Sequence, residues 1–225
     1  MVSAIVLAAG AGKRLKSAVS KPLIKIGNRA AIIYSLEVLS KHPDIDEVIV
    51  VVSVSNQKLI KKVVDGCSFK KIKNFVLGGK RRQDSVYNGL KAVSLKSDFI
   101  LIHDAARPFI DNRLITKVIQ AAKRSGAAIL GVPVKATIKR AKVNGLVDRT
   151  LDRNNLWEIQ TPQVFKKELI LKAYKKFSKN NVTDDAALIE RTGKEIKIVL
   201  GSYENIKITT QDDLLFAQAI SRSNS

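Results

Sequence analysis

The sequence has few of the residues on which several classes of protein depend. Cysteine occurs once, at Cys67, so no internal disulfide can form, which is typical of proteins from a reducing compartment. Histidine occurs twice, without a zinc-type cluster or a Cys/His nucleophile pair, and His42, which follows a predicted helix, is expected to be exposed. No apolar run is long enough to span a bilayer, and the N-terminal run ends in glycines, unlike a signal peptide. We therefore expect a cytoplasmic protein that makes no membrane contact.

Acidic and aromatic residues are also scarce. The chain has 20 Asp and Glu residues against 40 Lys and Arg residues, a net charge of +20, and only 5% aromatic residues. This charge is compatible with a nucleic-acid-binding protein or with a site for two polyanionic substrates. Lysines, however, lie on nearly every predicted helix, without a basic tail and without interleaved aromatic residues for base stacking. We attribute most of the excess to solvated surface and expect no specific nucleic-acid partner.

Buried apolar runs alternate with helical patterns along most of the chain. A length of 225 residues is enough for one α/β domain with a substantial core. The predicted strands are Ala4–Leu7, Val48–Val52, Phe75–Leu77, Phe99–His103, Ala127–Val134 and Ile196–Leu200, with a short extended segment at Asn205–Thr209. The predicted helices are Ala30–Lys41, Asn56 (as N-cap) to Val64, Arg82–Val93, Arg113–Lys123, Lys167–Phe177, Asp184–Arg191 and Gln211–Ile220, with Thr210 as N-cap. The alternation predicts a Rossmann-like, doubly wound, mostly parallel sheet.

One segment interrupts this alternation. Residues 135–156 are polar and basic, and Asn144-Gly145 at their centre is a strong signal for a hairpin turn. We expect a projecting β-hairpin arm with about ten residues on each side. An isolated hairpin is marginally stable, so a second subunit is the natural surface for it to pack on. The prediction is one domain, residues 1–225, with an arm at about 135–156 that forms a homodimer.

Polar residues follow three of the predicted strands, at Gly10–Arg14, Gly78–Ser85 and His103–Arg107. In open α/β sheets, ligands bind beyond the carboxyl ends of the strands, so these segments should line one cleft. The first of them is a loop of small residues followed by cations, which suits phosphate binding. A Walker loop would need glycine at the position of Leu7 and Ser or Thr at the position of Arg14, so this loop is not a Walker loop. The dinucleotide-binding fingerprint would need glycine at the position of Leu15, so that motif is excluded too. The loop resembles instead the signature of nucleotidyltransferases that act on sugar or polyol phosphates.

A set of motifs makes this resemblance more specific. The His103-Asp104-Ala105-Ala106-Arg107-Pro108 block is similar to a motif of the 2-C-methyl-D-erythritol 4-phosphate cytidylyltransferases. The other matching segments, in order, are Gly78–Val86, Asp152–Trp157, Thr161-Pro162-Gln163, Thr183-Asp184 and Asn205–Thr209. The resemblance covers nearly the whole chain. It implies transfer of CMP from CTP to 2-C-methyl-D-erythritol 4-phosphate, with Mg²⁺ as cofactor.

The resemblance also implies a role for each matching residue. Ala8, Ala9, Gly10, Gly12, Gly79, Ser85 and Asp104 would bind the nucleotide. The α-phosphate transition state would be stabilised by Arg14, Lys21 and Lys207. The methylerythritol phosphate would be bound by Arg107, Thr137, Arg153, Thr161 and Thr183, of which Thr137 and Arg153 lie on the arm and would serve the neighbouring subunit. Asp104 would also lie near Mg²⁺. Such a reaction needs no general base, because the second pKa of the attacking phosphate is about 6.

Two segments depart from the family pattern. Ser20-Lys21-Pro22 stands where the family commonly has Pro-Lys-Gln, and a following proline favours an extended backbone at Lys21. Lys80 stands after the double glycine, where an acidic residue is common. The alternatives are a cytidylyltransferase for another polyol phosphate, such as ribitol 5-phosphate, and a basic nucleic-acid-binding protein. A sugar-1-phosphate nucleotidyltransferase is a more distant possibility, because those enzymes lack the block at residues 103–108.

Overall fold

The computed structural model describes residues 1–10 and 20–223, and within them one seven-stranded sheet organises the chain. Its strands are β1 (Val2–Leu7), β4 (Glu47–Val52), β5 (Ile72–Leu77), β6 (Phe99–Asp104), β7 (Ala127–Pro133), β10 (Trp157–Lys166) and β11 (Lys197–Leu200). They follow the order β11-β7-β10-β6-β1-β4-β5, and β10 alone of the seven runs antiparallel to its neighbours. The predicted α/β class with a mostly parallel sheet is confirmed.

Helices cover both faces of this sheet. They are α1 (Ala31–Lys41), α2 (Gln57–Asp65), α3 (Arg82–Ala92), α4 (Asn112–Ser125), α5 (Lys167–Phe177), α6 (Ala186–Glu190) and α7 (Gln211–Ser223). Alternate strand residues face opposite ways, so Val48 and Val50 belong to the apolar cluster that includes α1, α2 and α4, whereas Ile49 and Val51 belong to the cluster that includes α3, α5 and α6. All six residues of β4 are buried, as expected for a strand covered on both faces.

Strand β10 was not predicted, although it lies between β6 and β7 in the middle of the sheet. Pro162 interrupts its sequence, and a proline inside a run argues against a central strand because it cannot donate a ladder hydrogen bond. The structure accommodates Pro162 where the pairing with β7 shifts register between Ile159 and Gln163, and the Thr161–Pro162 peptide is cis. This irregular stretch brings Thr161 next to Asp104 on β6.

Residues 135–156 contain an antiparallel hairpin whose ladder is shorter than roughly ten residues per side. Strand β8 (Lys139–Ala141) pairs antiparallel with β9 (Val147–Thr150), and Gly145 has the positive φ of 81° that the turn requires. All residues of both strands are exposed. The arm therefore projects from the sheet.

Smaller departures concern residues outside the sheet. Asn205–Thr209 is a loop rather than an extended strand. Asn56 precedes α2, but its side chain does not cap the helix: its Oδ1 accepts from Ser53 N, and its Nδ2 donates to Ala8 O. Thr210 does cap α7, since its Oγ1 accepts from Asp213 N.

Lys21 and His42 differ from the local structure and exposure expected from the sequence. Lys21 is not extended but is the first residue of a 3-10 helix (Lys21–Leu23), which precedes the short antiparallel pair β2 (Lys25–Ile26) and β3 (Arg29–Ala30). His42 was expected to be exposed and is buried, with Nε2 2.9 Å from Thr116 Oγ1. Within residues 1–10 and 20–223, no helix is both long enough and apolar enough to cross a membrane.

Candidate active site

Two adjoining cavities open at the carboxyl ends of the strands. The glycine cavity, about 480 Å³, is named for Gly10 and Gly79 in its lining and lies over β1. The β10 cavity, about 570 Å³, is lined by Ile159, Gln160, Thr161 and Gln163 of β10. Among the described residues, the two cavities share Arg82, Asp104 and Lys207. A group bound in one cavity can therefore meet a group bound in the other at these three side chains.

Backbone contacts shape the glycine cavity. Ala9 and Gly10 line the cavity. Ala8 is buried beneath them: its N–H donates to Val51 O, and its carbonyl accepts from Asn56 Nδ2. Gly79 N donates to Ser85 Oγ over 3.1 Å. A Cβ added at Gly79 would lie 2.3 Å from the Asp84 Cβ, so a side chain there would displace the start of α3. The close approach of this turn to α3 explains why glycine stands at position 79.

A carboxylate and two cations form the boundary between the cavities. Asp104 ends β6 and is buried; its Oδ2 accepts from Lys207 Nζ over 2.5 Å, and its Oδ1 lies 3.3 Å from both Nε and Nη2 of Arg82. Burial on its own would raise the pKa of Asp104, but the charges of Arg82 and Lys207 outweigh it and hold that pKa well below its usual range. Asp104 is therefore a carboxylate at neutral pH.

Arg82 also contacts a second carboxylate. Its Nη1 donates to Asp185 Oδ2 over 2.8 Å. Burial disfavours the guanidinium charge, but the charges of Asp185 and Asp104 outweigh it and raise the pKa of Arg82 above its ordinary value. No role for Arg82 was predicted from the sequence. Its position in the Gly78–Val86 motif was the available signal, whereas its partners lie 22 and 103 residues away along the chain.

In the β10 cavity, two of the predicted substrate-binding residues also hold the site together. Arg107 Nη1 donates to Asn205 O over 2.7 Å, and its Nη2 lies 3.3 Å from Ile159 O. Burial lowers the pKa of Arg107. Thr161 Oγ1 accepts from Asp104 N over 3.0 Å and lies 3.2 Å from His103 Nδ1. The Thr161 side chain therefore joins β10 to β6, and the Arg107 side chain joins the turn after β6 to β10 and to the loop that carries Lys207.

Most of the predicted site residues line these cavities. Ala9, Gly10, Lys21, Gly79, Ser85, Asp104 and Lys207 line the glycine cavity, as does the departing residue Lys80. Arg107, Thr161 and Thr183 line the β10 cavity together with Asp104 and Lys207. Gly12 and Arg14 lie outside the described residues.

The two predicted arm residues are separate from this cluster. Thr137 and Arg153 are not among the described residues that line either cavity of their own chain. Arg153 is exposed, and its Nη1 donates to Lys135 O at the base of the arm. Within one chain, Thr137 and Arg153 therefore do not contribute to the cavity lining that contains Asp104 and Lys207.

Asp104 is a buried carboxylate that lines both cavities. Among the described residues, no group of three or more His, Cys, Asp or Glu side chains could hold a metal ion by itself. A magnesium ion is usually bound by one or two carboxylates together with substrate phosphates and waters, rather than by an all-protein cage. A single buried carboxylate between two cavities fits such an ion when phosphates are bound beside it.

Similarity to known proteins extends over nearly the whole chain. A model of the 2-C-methyl-D-erythritol 4-phosphate cytidylyltransferase family matches residues 2–223. A protein of that name from Clostridioides difficile (strain 630) is 43% identical over 223 residues, covering 98% of this chain and 93% of the relative. Another, from Shouchella clausii (strain KSM-K16), is 45% identical over 220 residues, covering 97% of this chain and 95% of the relative.

Solved structures show the same likeness. The 4-diphosphocytidyl-2C-methyl-D-erythritol synthase of Anaerococcus prevotii DSM 20548 superposes with a TM-score of 0.87 at 36% identity, covering 98% of this chain and 96% of the other. The 2-C-methyl-D-erythritol 4-phosphate cytidylyltransferase of Thermus thermophilus superposes with a TM-score of 0.80 at 30% identity, covering 99% of this chain and 100% of the other.

Proposed function

The chain belongs to the 2-C-methyl-D-erythritol 4-phosphate cytidylyltransferase family, and we propose that it transfers CMP from CTP to 2-C-methyl-D-erythritol 4-phosphate. The products are 4-diphosphocytidyl-2-C-methyl-D-erythritol and pyrophosphate. The observation that carries this proposal within the family is the boundary of Arg82, Asp104 and Lys207 shared by two cavities. One cavity takes the nucleotide, the other takes the polyol phosphate, and the two reacting phosphates meet at the boundary.

The chemistry at this boundary is mainly electrostatic. The acceptor phosphate is a sufficient nucleophile without a base, since its second pKa is about 6. The barrier comes from bringing two anions together and from charge that accumulates on the reacting phosphorus. Lys207 and Lys21 supply positive charge from two sides of the glycine cavity. Arg14 belongs to the same proposed set, on the resemblance of the loop that contains it.

The proposal includes Mg²⁺ at Asp104. Bound there, it would neutralise charge on the triphosphate oxygens. Asp104 would hold it jointly with those oxygens, and both of its carboxylate oxygens now accept from cations that the phosphates would also attract. We further propose a cytoplasmic location, in keeping with the exposed free thiol of Cys67.

We also propose a homodimer in which the arm of each chain reaches the partner's site. Three observations support this arrangement. The arm projects as an exposed hairpin, its tip carries the exposed apolar side chains Val143, Leu146 and Val147, and a two-stranded ladder is not stable alone. Thr137 and Arg153 would then complete the partner's β10 cavity.

The test is a pyrophosphate-release assay with purified protein. CTP with methylerythritol phosphate should give turnover, and ATP or GTP should give far less, because the small residues and Ser85 suit a pyrimidine better than a purine. Ribitol 5-phosphate and glycerol 3-phosphate serve as the competing acceptors. Faster turnover with ribitol phosphate would move the assignment to another polyol. If no acceptor supports release while the chain binds DNA tightly at ~0.2 M salt, the nucleic-acid-binding alternative would replace the proposal.

A further inference from the structure

Arg82 is held by a second carboxylate that lies behind the site. Asp185 is the residue before α6 and is fully buried, with both carboxylate oxygens in use. Its Oδ2 accepts from Arg82 Nη1 over 2.8 Å, and its Oδ1 accepts from the Tyr174 hydroxyl over 2.5 Å. A buried carboxylate whose partners are both fixed cannot easily rotate, because any rotation would leave a charge unpaired.

The helices around Asp185 keep this arrangement rigid. Tyr174, on α5, is buried, and its ring stacks on that of Tyr87 on α3 with 5.9 Å between the centroids and 5° between the planes. Gln163 on β10 accepts from Asp185 N and donates to Asp184, so the backbone at Asp185 is fixed to the central sheet. Four elements, α3, α5, α6 and β10, thus meet around one carboxylate.

The geometry distinguishes the two carboxylates that Arg82 contacts. The Asp185 contact is 2.8 Å, whereas both contacts to Asp104 are 3.3 Å and share one oxygen. Asp104 also pairs with Lys207 and lies at the open boundary of the cavities. Asp185 is therefore the stronger anchor of Arg82, and the guanidinium edge that faces Asp104 lies at the boundary of the two cavities.

We propose that Arg82 is a further catalytic residue that contacts the reacting phosphates, and that Asp185 is its positioning residue, held in turn by the Tyr174 hydroxyl. The inference rests on the proposed cytidylyl transfer. Arginine suits the role because its planar fork can donate to a carboxylate on one side and to phosphate oxygens on the other. Without Asp185, the guanidinium would lose the contact that fixes its orientation, and its N–H groups would no longer be held toward the phosphates.

The experiment is a double-mutant cycle on kcat. Arg82→Gln should lower kcat roughly a hundredfold, as the loss of one transition-state donor typically does. Asp185→Asn should lower kcat roughly tenfold through misplacement of Arg82. The double variant should have the same kcat as Arg82→Gln alone, because Asp185 acts only through Arg82. If Asp185 had a purely structural role, Asp185→Asn would lower the melting temperature, and its effect on kcat would be the same with or without Arg82. If the two effects multiply in the double variant, or if folded Asp185→Asn keeps the wild-type kcat, the inference is wrong.

A milder variant and a matched control keep the test decisive. Tyr174→Phe removes only the hydroxyl donated to Asp185, and Tyr87→Phe makes the same change in the other ring of the stack. Tyr174→Phe should lower kcat about threefold, and only when Arg82 is present, while Tyr87→Phe should leave kcat unchanged. Equal effects of the two variants would contradict the proposed chain of contacts, even if Asp185→Asn fails to fold.

Failure of the proposed reaction is a separate outcome. If the wild-type protein makes no product, the proposed function is wrong, and CTP binding measured by calorimetry without acceptor then tests the inference. Arg82→Gln and Asp185→Asn should each weaken CTP binding, and the double variant should bind as Arg82→Gln does. Unchanged CTP affinity in both single variants of an inactive protein would overturn the inference as well.

Discussion

Lys207 Nζ lies 2.5 Å from Asp104 Oδ2, although 103 residues separate them in the chain. The pair joins the end of β6 to the loop after β11, at the boundary of the two cavities. A lysine in this position can transfer its hydrogen bond from the carboxylate to a phosphate as charge develops there. Loss of Lys207 should therefore affect the rate of catalysis directly.

Lys207→Ala and Lys21→Ala should each lower kcat much more than they raise KM for CTP, because the charge they stabilise is greatest in the transition state. The expected loss is roughly a hundredfold, or about 3 kcal/mol. Steady-state kinetics with CTP as the varied substrate measures both constants. Lys62→Ala, at an exposed position on α2, is the matched control and should behave as wild type. A variant with near-normal kcat would show that its lysine is only a surface charge.

The second prediction concerns the turn that carries Gly79. Gly79→Ala puts a methyl group 2.3 Å from the Asp84 Cβ, so the start of α3 must move and the bond from Gly79 N to Ser85 is strained. The expected result is a rise of roughly tenfold in KM for CTP and a stability loss of about 1–3 kcal/mol. Gly66→Ala is the control, since its added Cβ would lie 3.7 Å from the nearest atom, an ordinary contact. Equal KM values for CTP in the two variants would show that Gly79 does not contribute to nucleotide binding.

The third prediction is a pH dependence of stability. Burial lowers the pKa of His103 to about 4, and burial also lowers the pKa of His42. Asp44 N donates to His42 Nδ1, which therefore accepts as a neutral ring nitrogen. An unfolded histidine has a pKa of about 6.5, so below that pH the unfolded chain binds protons that the folded chain does not. Stability is therefore complete above about pH 6.5 and is lost as the pH falls toward the folded pKa values.

Urea unfolding at pH 7 and pH 5 measures this effect. His103 alone should lower the free energy of unfolding by about 2 kcal/mol between these two pH values, and His42 should add to it. His42→Gln should reduce the pH dependence without abolishing it. A free energy of unfolding that is the same at both pH values would mean that the two rings are accessible to protons in the folded state.

The sheet could be predicted from local pattern, whereas much of its interior pairing could not. Continuous apolar runs alternating with helices were sufficient for the doubly wound architecture, because that pattern is produced by strands covered on both faces. Strand β10 was missed because Pro162 is locally incompatible with a central strand, and the register shift that accommodates it depends on β7. His42 was expected to be exposed because no local signal reports the hydrogen bond it makes with Thr116 on α4.

The candidate site shows the same division. The loop after β1 and the block at residues 103–108 could be identified because each is continuous in sequence. The role of Arg82 could not be predicted, since its partner Asp185 comes from a distant segment and the pairing exists only once α3 and α6 pack together. Thr161 was expected to bind substrate, and its hydrogen bond with Asp104 N shows a supporting contact that no motif encodes.

The fourth prediction tests the arm. If each arm completes the partner's site, Arg153 acts in trans to Lys21. Lys21→Ala and Arg153→Ala homodimers should be nearly inactive, but after subunit exchange about half the dimers are hybrids with one intact site, so activity should return to roughly a quarter of wild type. Exchange between Lys21→Ala and Lys207→Ala is the control and should restore nothing, because both residues line the cavity of one chain. Absence of recovery after verified exchange would place Arg153 in its own chain's site or outside any site.

The measurement that tests the central claim most directly is phosphorus NMR of CTP, methylerythritol phosphate, Mg²⁺ and the purified protein. Cytidylyl transfer predicts that the triphosphate and monoester signals decline together. A new diphosphate-diester signal and pyrophosphate should then appear in equal amounts. Hydrolysis of CTP to CMP and pyrophosphate, with the methylerythritol phosphate signal unchanged, would contradict the account. The two cavities would then not bring an acceptor to the nucleotide.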